Sequence, residues 1–153
     1  MTPETIFQIS SSIAMIGWIT LIFISPFWWS ADKFITGVII TLLAFVYAWL
    51  IVQSFSISNF GDFGKLDTVM ALFTNKTMVT AGWVHYLAFD LFIGTWIKKN
   101  SRSYHIPHGW IIPVLLFTFM LGPIGLLAYF LLRWFYTKKY FSGNFDWVFY
   151  VDS

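Results

Sequence analysis

The sequence contains few charged residues and no cysteine. Of its 153 residues, 9 are Lys or Arg and 7 are Asp or Glu, which is 10% of the chain, whereas soluble domains carry about 25%. So few charges cannot cover the surface of a soluble globular domain, and a chain without Cys cannot be a disulfide-stabilised scaffold. A net charge of +2 without a basic block argues against binding to nucleic acid.

Hydrophobic and aromatic side chains take the place of the missing charges. They make up 58% and 22% of the chain, with 18 Phe, 9 Trp and 7 Tyr. This composition excludes disorder, which requires low hydrophobicity. It predicts an integral membrane protein whose 153 residues form a single domain.

Four stretches of the chain are apolar enough to cross a bilayer, which takes about 20 residues in a helix. They predict an all-α, multi-pass protein with transmembrane helices at about 6–25, 34–54, 78–97 and 110–133. Pro123 is expected to kink the fourth helix because it removes a backbone hydrogen bond. Residues 67–74 have amphipathic helical spacing and predict a short interfacial segment between the second and third helices. The aromatic tail, residues 134–153, is expected at the headgroup interface as well.

No targeting signal is predicted at the start of the chain. Glu4 is the only charge before the first apolar run, and no Arg-rich and Ser-rich leader is present, so neither a signal peptide nor a transit peptide is predicted. A bacterial inner membrane is the expected location. Stripes of small residues are expected to pack the helices against one another. Because such stripes also pair helices of separate chains, a homo-oligomer is a further expectation. In the second helix this stripe is Gly37, Thr41, Ala44 and Ala48.

Asp90 is the only charged residue that lies within a predicted span and not at its end. A charge at the bilayer centre costs about 2.5–3.5 kcal/mol on insertion scales, so such a residue is either functional or bonded to another helix. A protonated carboxylic acid can donate a proton to a substrate oxygen. His85, in the same helix, could act as a base or an acid, or simply fill space in the packing.

Helical geometry separates these two candidates. Five residues at about 100° each place the side chains of His85 and Asp90 about 140° apart. His105 and His108 precede the last helix without a nearby carboxylate, so a metal site is not predicted.

Several motifs resemble one known family. They are residues 82–92 (GWVHYLAFDLF), 106–108 (IPH) and 122–127 (GPIGLL), supported by Gly17, Trp18 and Pro26. The chain is similar, over about residues 10–133, to the abscisic-acid-deficient (neoxanthin synthase-like) family of small four-helix membrane proteins. Plant members of this family are needed to make neoxanthin from violaxanthin.

The resemblance implies an isomerisation that needs no cofactor, in which an epoxide opens to a tertiary alcohol and an allene forms. Asp90 would be the acid and His85 the base, acting on an epoxy-carotenoid or another isoprenoid lipid. The side chains expected to contact this ligand are Trp83, Tyr86, Phe89, Phe92, Trp96, Thr118 and Tyr129. The alternative is a membrane protein that binds a carotenoid or lipid, or acts as a scaffold, without chemistry of its own.

Overall fold

The structure is a computed structural model, and it describes residues 1–28, 30–54 and 64–138. These residues form α-helices and contain no strand, which confirms the predicted all-α class. We number the helices α1 to α6. Their bounds are α1 Pro3–Ile24, α2 Ala31–Ser54, α3 Leu66–Leu72, α4 Lys76–Ser103, α5 His108–Leu121 and α6 Pro123–Thr137. The last turns of α1 (Thr20–Ile24) and the early part of α2 (Ile35–Ile40) are π-helical.

α1 and α2 are each long and apolar enough to cross a membrane, with 22 and 24 residues. Large apolar side chains also cover much of the outer surface; Phe45 is 72% exposed and Val52 is 80% exposed. Exposed apolar surface of this extent is typical of contact with a membrane or a partner. The short α3 matches the predicted amphipathic segment, and its placement at an interface stays a prediction. Residues 55–63 and most of the aromatic tail lie outside the described residues.

α1 runs parallel to α4 along most of its length. Glu4 pairs with Lys76 at one end, and the Trp83 indole donates a hydrogen bond to the Ser11 hydroxyl further along. The two helices approach closely at Gly94, where a Cβ atom would lie 2.8 Å from both Leu21 and Trp18 side-chain atoms. A larger side chain at position 94 would therefore push α1 away from α4.

α2 packs against α4 with a face other than the one expected. Its fully buried apolar residues are Ile35, Ile39, Leu43 and Leu50. The small-residue stripe of Gly37, Thr41, Ala44 and Ala48 is exposed instead. The prediction that this stripe packs within the chain is wrong, because branched side chains on the other face fill the groove beside α4 and bury more apolar surface.

α4 is longer than the predicted third helix. It begins after Asn75, whose side-chain oxygen accepts hydrogen bonds from the N–H groups of Thr77 and Met78, and it continues past residue 97 to Ser103. The charged residue that seemed to end the span, Lys98, is buried and pairs with Asp32 of α2 at 2.6 Å. The ion pair lets the helix extend by more than a turn beyond the apolar stretch.

The fourth predicted helix, 110–133, is wrong as a single segment. The chain forms two helices, α5 and α6, separated by Gly122. His108 at the start of α5 bonds to the Ile22 carbonyl near the end of α1, and Gly122 lies against Asp90 in the middle of α4. α6 then runs back along α4 toward Ser103, as the hydrogen bond from Tyr129 to Asn100 near the end of α4 shows. The two half-length helices form a hairpin whose tip reaches the middle of α4.

Candidate functional site

The Asp90 carboxyl group lies inside the helix bundle, near the middle of α4. The residue is 8% exposed, and its Oδ2 atom has no hydrogen-bond partner among the described residues. Burying a polar group without a partner costs free energy, so most such groups in proteins are bonded. An unpartnered buried acid is therefore the first candidate for a group that acts on a ligand.

The tip of the α5–α6 hairpin comes into direct contact with this carboxyl group. A Cβ atom on Gly122 would lie 2.7 Å from Asp90 Oδ1 and 3.0 Å from Oδ2. Gly122 also has a φ of +44°, which only glycine adopts without strain. Pro123 then starts α6 at a position where its missing N–H is harmless. The Gly-Pro sequence thus makes both the turn and the close approach.

Thr118 and Gly125 close the base of this turn. Thr118 is fully buried, its hydroxyl donates to the Val114 carbonyl, and its backbone contacts Gly125 across the hairpin. The hydroxyl of Thr118, which we expected to contact a ligand, is occupied within its own helix. Its place in the structure is that of a packing residue between α5 and α6.

Two aromatic side chains on α4 line the approach to Asp90. Tyr86 lies one turn before Asp90 on the same face of α4, and its hydroxyl donates to the Phe119 carbonyl at 3.2 Å. Trp83 stacks between Phe7 and Tyr86, with ring centroids 5.2 and 5.4 Å away, and is 39% exposed. An apolar surface therefore runs from the outside of the bundle toward the carboxyl group.

His85 lies on a different face from Asp90. Its side chain is exposed, stacks on Phe89 with ring centroids 4.5 Å apart, and contacts the Tyr47 ring of α2 at 5.3 Å. Phe92, on the same side, is 43% exposed. The structure does not bring the two candidate catalytic groups together, in agreement with the angle between them on the helix.

Trp96 and Tyr129 belong to a third group of residues, at the far end of α4. Tyr129 is fully buried and donates to the side-chain oxygen of Asn100 at 2.7 Å, and Arg133 donates to the same oxygen at 3.0 Å. Trp96 packs edge-on against Tyr129. The guanidinium group of Arg133 also lies over the ring of Tyr104. These contacts hold α6 against α4, away from Asp90.

The predicted ligand residues therefore lie in four separate places, and only Trp83 and Tyr86 lie beside Asp90. Sequence reasoning missed the role of Gly122, although the Gly-Pro pair is a recognised turn signal. It also missed Asn100 and the Lys98–Asp32 pair, because no local pattern marks a side chain that is buried by a helix distant in sequence. Over residues 1–28, 30–54 and 64–138, no three His, Asp or Glu side chains form a cluster that could hold a metal ion.

The fold and site together define a class: an all-α protein with long apolar helices, compatible with a membrane, that buries an acid whose Oδ2 atom has no hydrogen-bond partner among the described residues. The chain belongs to the ABA4-like family, described as ABA DEFICIENT 4-like, whose model matches residues 5–129. This match confirms the resemblance drawn from the motifs of α4 and the α5–α6 hairpin. Neither a curated protein nor a solved structure matches the chain significantly.

Proposed function

We propose that this protein is a neoxanthin synthase-like membrane isomerase that acts on an epoxy-carotenoid or a related isoprenoid epoxide, with Asp90 as its acid. Membership of the ABA4-like family supports the class of reaction. The observation that carries the proposal is the buried Asp90 carboxyl group, whose Oδ2 atom has no hydrogen-bond partner among the described residues. The reaction needs no external reductant, oxidant or cofactor, since product and substrate are isomers.

In the proposed arrangement α1, α2 and α4 cross the bilayer, and the α5–α6 hairpin enters it from one side and returns to that side. Asp90 lies 14 residues from Lys76 and 13 from Ser103, so it is about 20 Å from either end of α4. Irregular backbone at such depth is tolerated where it is buried in protein. Gly122 is buried against α4, as this requires.

The ligand would lie along the apolar surface formed by Trp83 and Tyr86. Because the hairpin turns back at the level of Asp90, it leaves Trp83 open to the surroundings of the bundle. A polyene chain could lie against these rings and place its oxygenated end at the carboxyl group. Flat apolar walls with one polar group at the end are typical of sites that orient a hydrophobic ligand.

The chemistry requires one proton to be delivered and another to be removed. Asp90 donates its proton to the epoxide oxygen while the C–O bond next to the polyene breaks, and the bonding electrons go to the oxygen. The vinylic carbon beside the broken bond then gives its proton to the Asp90 carboxylate, and the C–H electrons form the second double bond of the allene. Asp90 ends protonated as it began, so atoms and electrons balance.

This cycle assigns both proton transfers to Asp90 and none to His85. The two carbons involved are adjacent, so a single carboxyl group can reach both the oxygen and the vinylic hydrogen. His85, exposed beside Phe89 and Tyr47, would have to act from the other side of α4. We therefore expect His85→Ala to keep most of the activity.

The test is product formation by the Asp90→Asn variant in a host that makes epoxy-carotenoids. Wild-type protein should yield a product of the same mass as its substrate but with a different retention time and absorption spectrum. Asp90→Asn should reduce this conversion at least 100-fold, because it cannot donate the proton or take up the second one.

Asp67→Asn is the matched control, since Asp67 is an exposed carboxylate on α3. It should convert substrate at the wild-type rate. Full activity of Asp90→Asn would overturn the proposal. If the wild-type protein binds pigment tightly but never changes its retention time, the protein is a binder, which is the alternative that the sequence left open.

A further inference from the structure

We infer that the first turn of α6 is the second half of the Asp90 site: its free backbone N–H groups bind the ligand oxygen, and Gly122 holds this turn against the carboxyl group. This inference rests on the proposed function. It adds a stabilising element for the oxygen on which charge develops, and it names Gly122 as a positioning residue.

The N-terminus of α6 has backbone N–H groups that bond to no carbonyl group of the same helix. The first N–H groups of a helix have no partner within that helix, and no side chain caps α6. Pro123 contributes no N–H, and the Leu126 N–H bonds to the Gly122 carbonyl. The Ile124 N–H is the first donor after the turn. The helix dipole adds positive potential at this end of a 15-residue helix.

Asp90 supplies the second, independent observation. The residue is more than nine-tenths buried and its carboxyl group lies against Gly122, at the point where α6 begins, and yet Oδ2 has no hydrogen-bond partner in the part of the chain that the structure describes. An uncapped helix end and an unpartnered acid thus lie side by side. A ligand oxygen that accepts from the helix N–H and from the protonated carboxyl group would satisfy both.

Such a pair has a clear use in opening an epoxide. Negative charge builds on the oxygen as the C–O bond breaks, and fixed backbone donors aimed at that position stabilise the transition state more than the ground state. Removing one such donor from other enzymes lowers kcat by about 10²–10³-fold.

The Ile124→Pro variant tests this donor. Proline is tolerated in the first turn of a helix, so the substitution removes the N–H while leaving most of α6 able to form. Gly109→Pro is the matched control, because Gly109 is likewise the second residue of its helix and a Cβ there would meet no atom within 4 Å. We expect Ile124→Pro to lower kcat about 100-fold and to raise KM by a smaller factor, and Gly109→Pro to change neither.

Binding by the wild-type protein provides a readout that does not depend on the variant folding. Violaxanthin and zeaxanthin have the same skeleton and hydroxyl groups, but zeaxanthin lacks the epoxide oxygens. Quenching of tryptophan fluorescence should show violaxanthin binding at least 10-fold more tightly. Equal affinity of the wild-type protein for the two would overturn the inference.

The outcomes separate this inference from the proposed function. If Asp90→Asn is inactive while a folded Ile124→Pro has the wild-type kcat, Asp90 is the acid and the helix end is not part of the site. If Asp90→Asn is active, both proposals fail. A decrease in kcat with Ile124→Pro but not with Gly109→Pro supports the inference.

Discussion

Two buried carboxylates of this molecule, those of Asp32 and Asp90, have opposite surroundings. Asp32, at the Ser103 end of α4, accepts a hydrogen bond from the buried Lys98 at 2.6 Å and lies 3.8 Å from Arg102. Asp90, in the middle of α4, faces a glycine backbone and has an oxygen without a hydrogen-bond partner among the described residues. The difference teaches that an aspartate stabilises the fold where cations lie beside its carboxylate. Where no cation lies beside it, the carboxyl group is available for chemistry.

The largest expected effect is the side of the membrane from which engineered cysteines react. It is all or none, because each position faces one side or the other. Since the chain has no cysteine, single cysteines can be placed at Thr74, Ser103 and Lys138 and labelled with a membrane-impermeant thiol reagent. If α5 and α6 form a hairpin in the bilayer, Ser103→Cys and Lys138→Cys react from the same side and Thr74→Cys from the opposite one. A fourth crossing helix would place Lys138→Cys with Thr74→Cys instead.

Removing the charge of Asp32 should destabilise the protein far more than removing that of Asp90. Asp32→Asn leaves Lys98 buried without its counter-ion, which typically costs about 3–5 kcal/mol. Asp90 has no counter-ion among the described residues, so Asp90→Asn leaves no unpaired charge behind and its free energy of unfolding should stay much closer to the wild-type value. Denaturant titration in detergent micelles measures both.

Glu4→Gln is the control for this comparison. It breaks the exposed pair with Lys76 at the other end of α4, and exposed pairs contribute little to stability. Its unfolding midpoint should match that of the wild type. If Asp90→Asn destabilised the protein as much as Asp32→Asn, the distinction between a structural and a catalytic acid would be lost.

A smaller effect is expected from Asn100→Ala, which acts on the same end of α4 as Asp32. The side-chain oxygen of Asn100 accepts hydrogen bonds from Tyr129 and Arg133, and leaving the donor of the buried Tyr129 without its acceptor costs about 1–3 kcal/mol. Gln8→Ala, which removes an exposed amide, is the control and should change nothing. Equal unfolding midpoints for the two variants would show that this contact does not hold α6 in place.

The helices and the key acid were predictable to different degrees. The starts of α1 and α2 lie within about a turn of their predicted positions, since long apolar runs bounded by Thr2 or Ser30 leave few alternatives. Asp90 stood out because it was alone in an apolar stretch. Its neighbour Gly122 is 32 residues away in sequence, and no local pattern shows that the two meet.

The scarcity of charge, 16 charged residues in 153, determined compatibility with a membrane, and the length of the apolar stretches determined the all-α class, because about 20 apolar residues span a bilayer as a helix whose backbone groups bond internally. The motifs by themselves determined the family. Only the tertiary structure decided that residues 110–133 turn back at Gly122 and that His85 and Asp90 face different neighbours. It also decided that Asp32 forms an ion pair, whereas Asp90 forms none among the described residues. Those outcomes depend on contacts between helices distant in sequence, and packing, not local propensity, sets them.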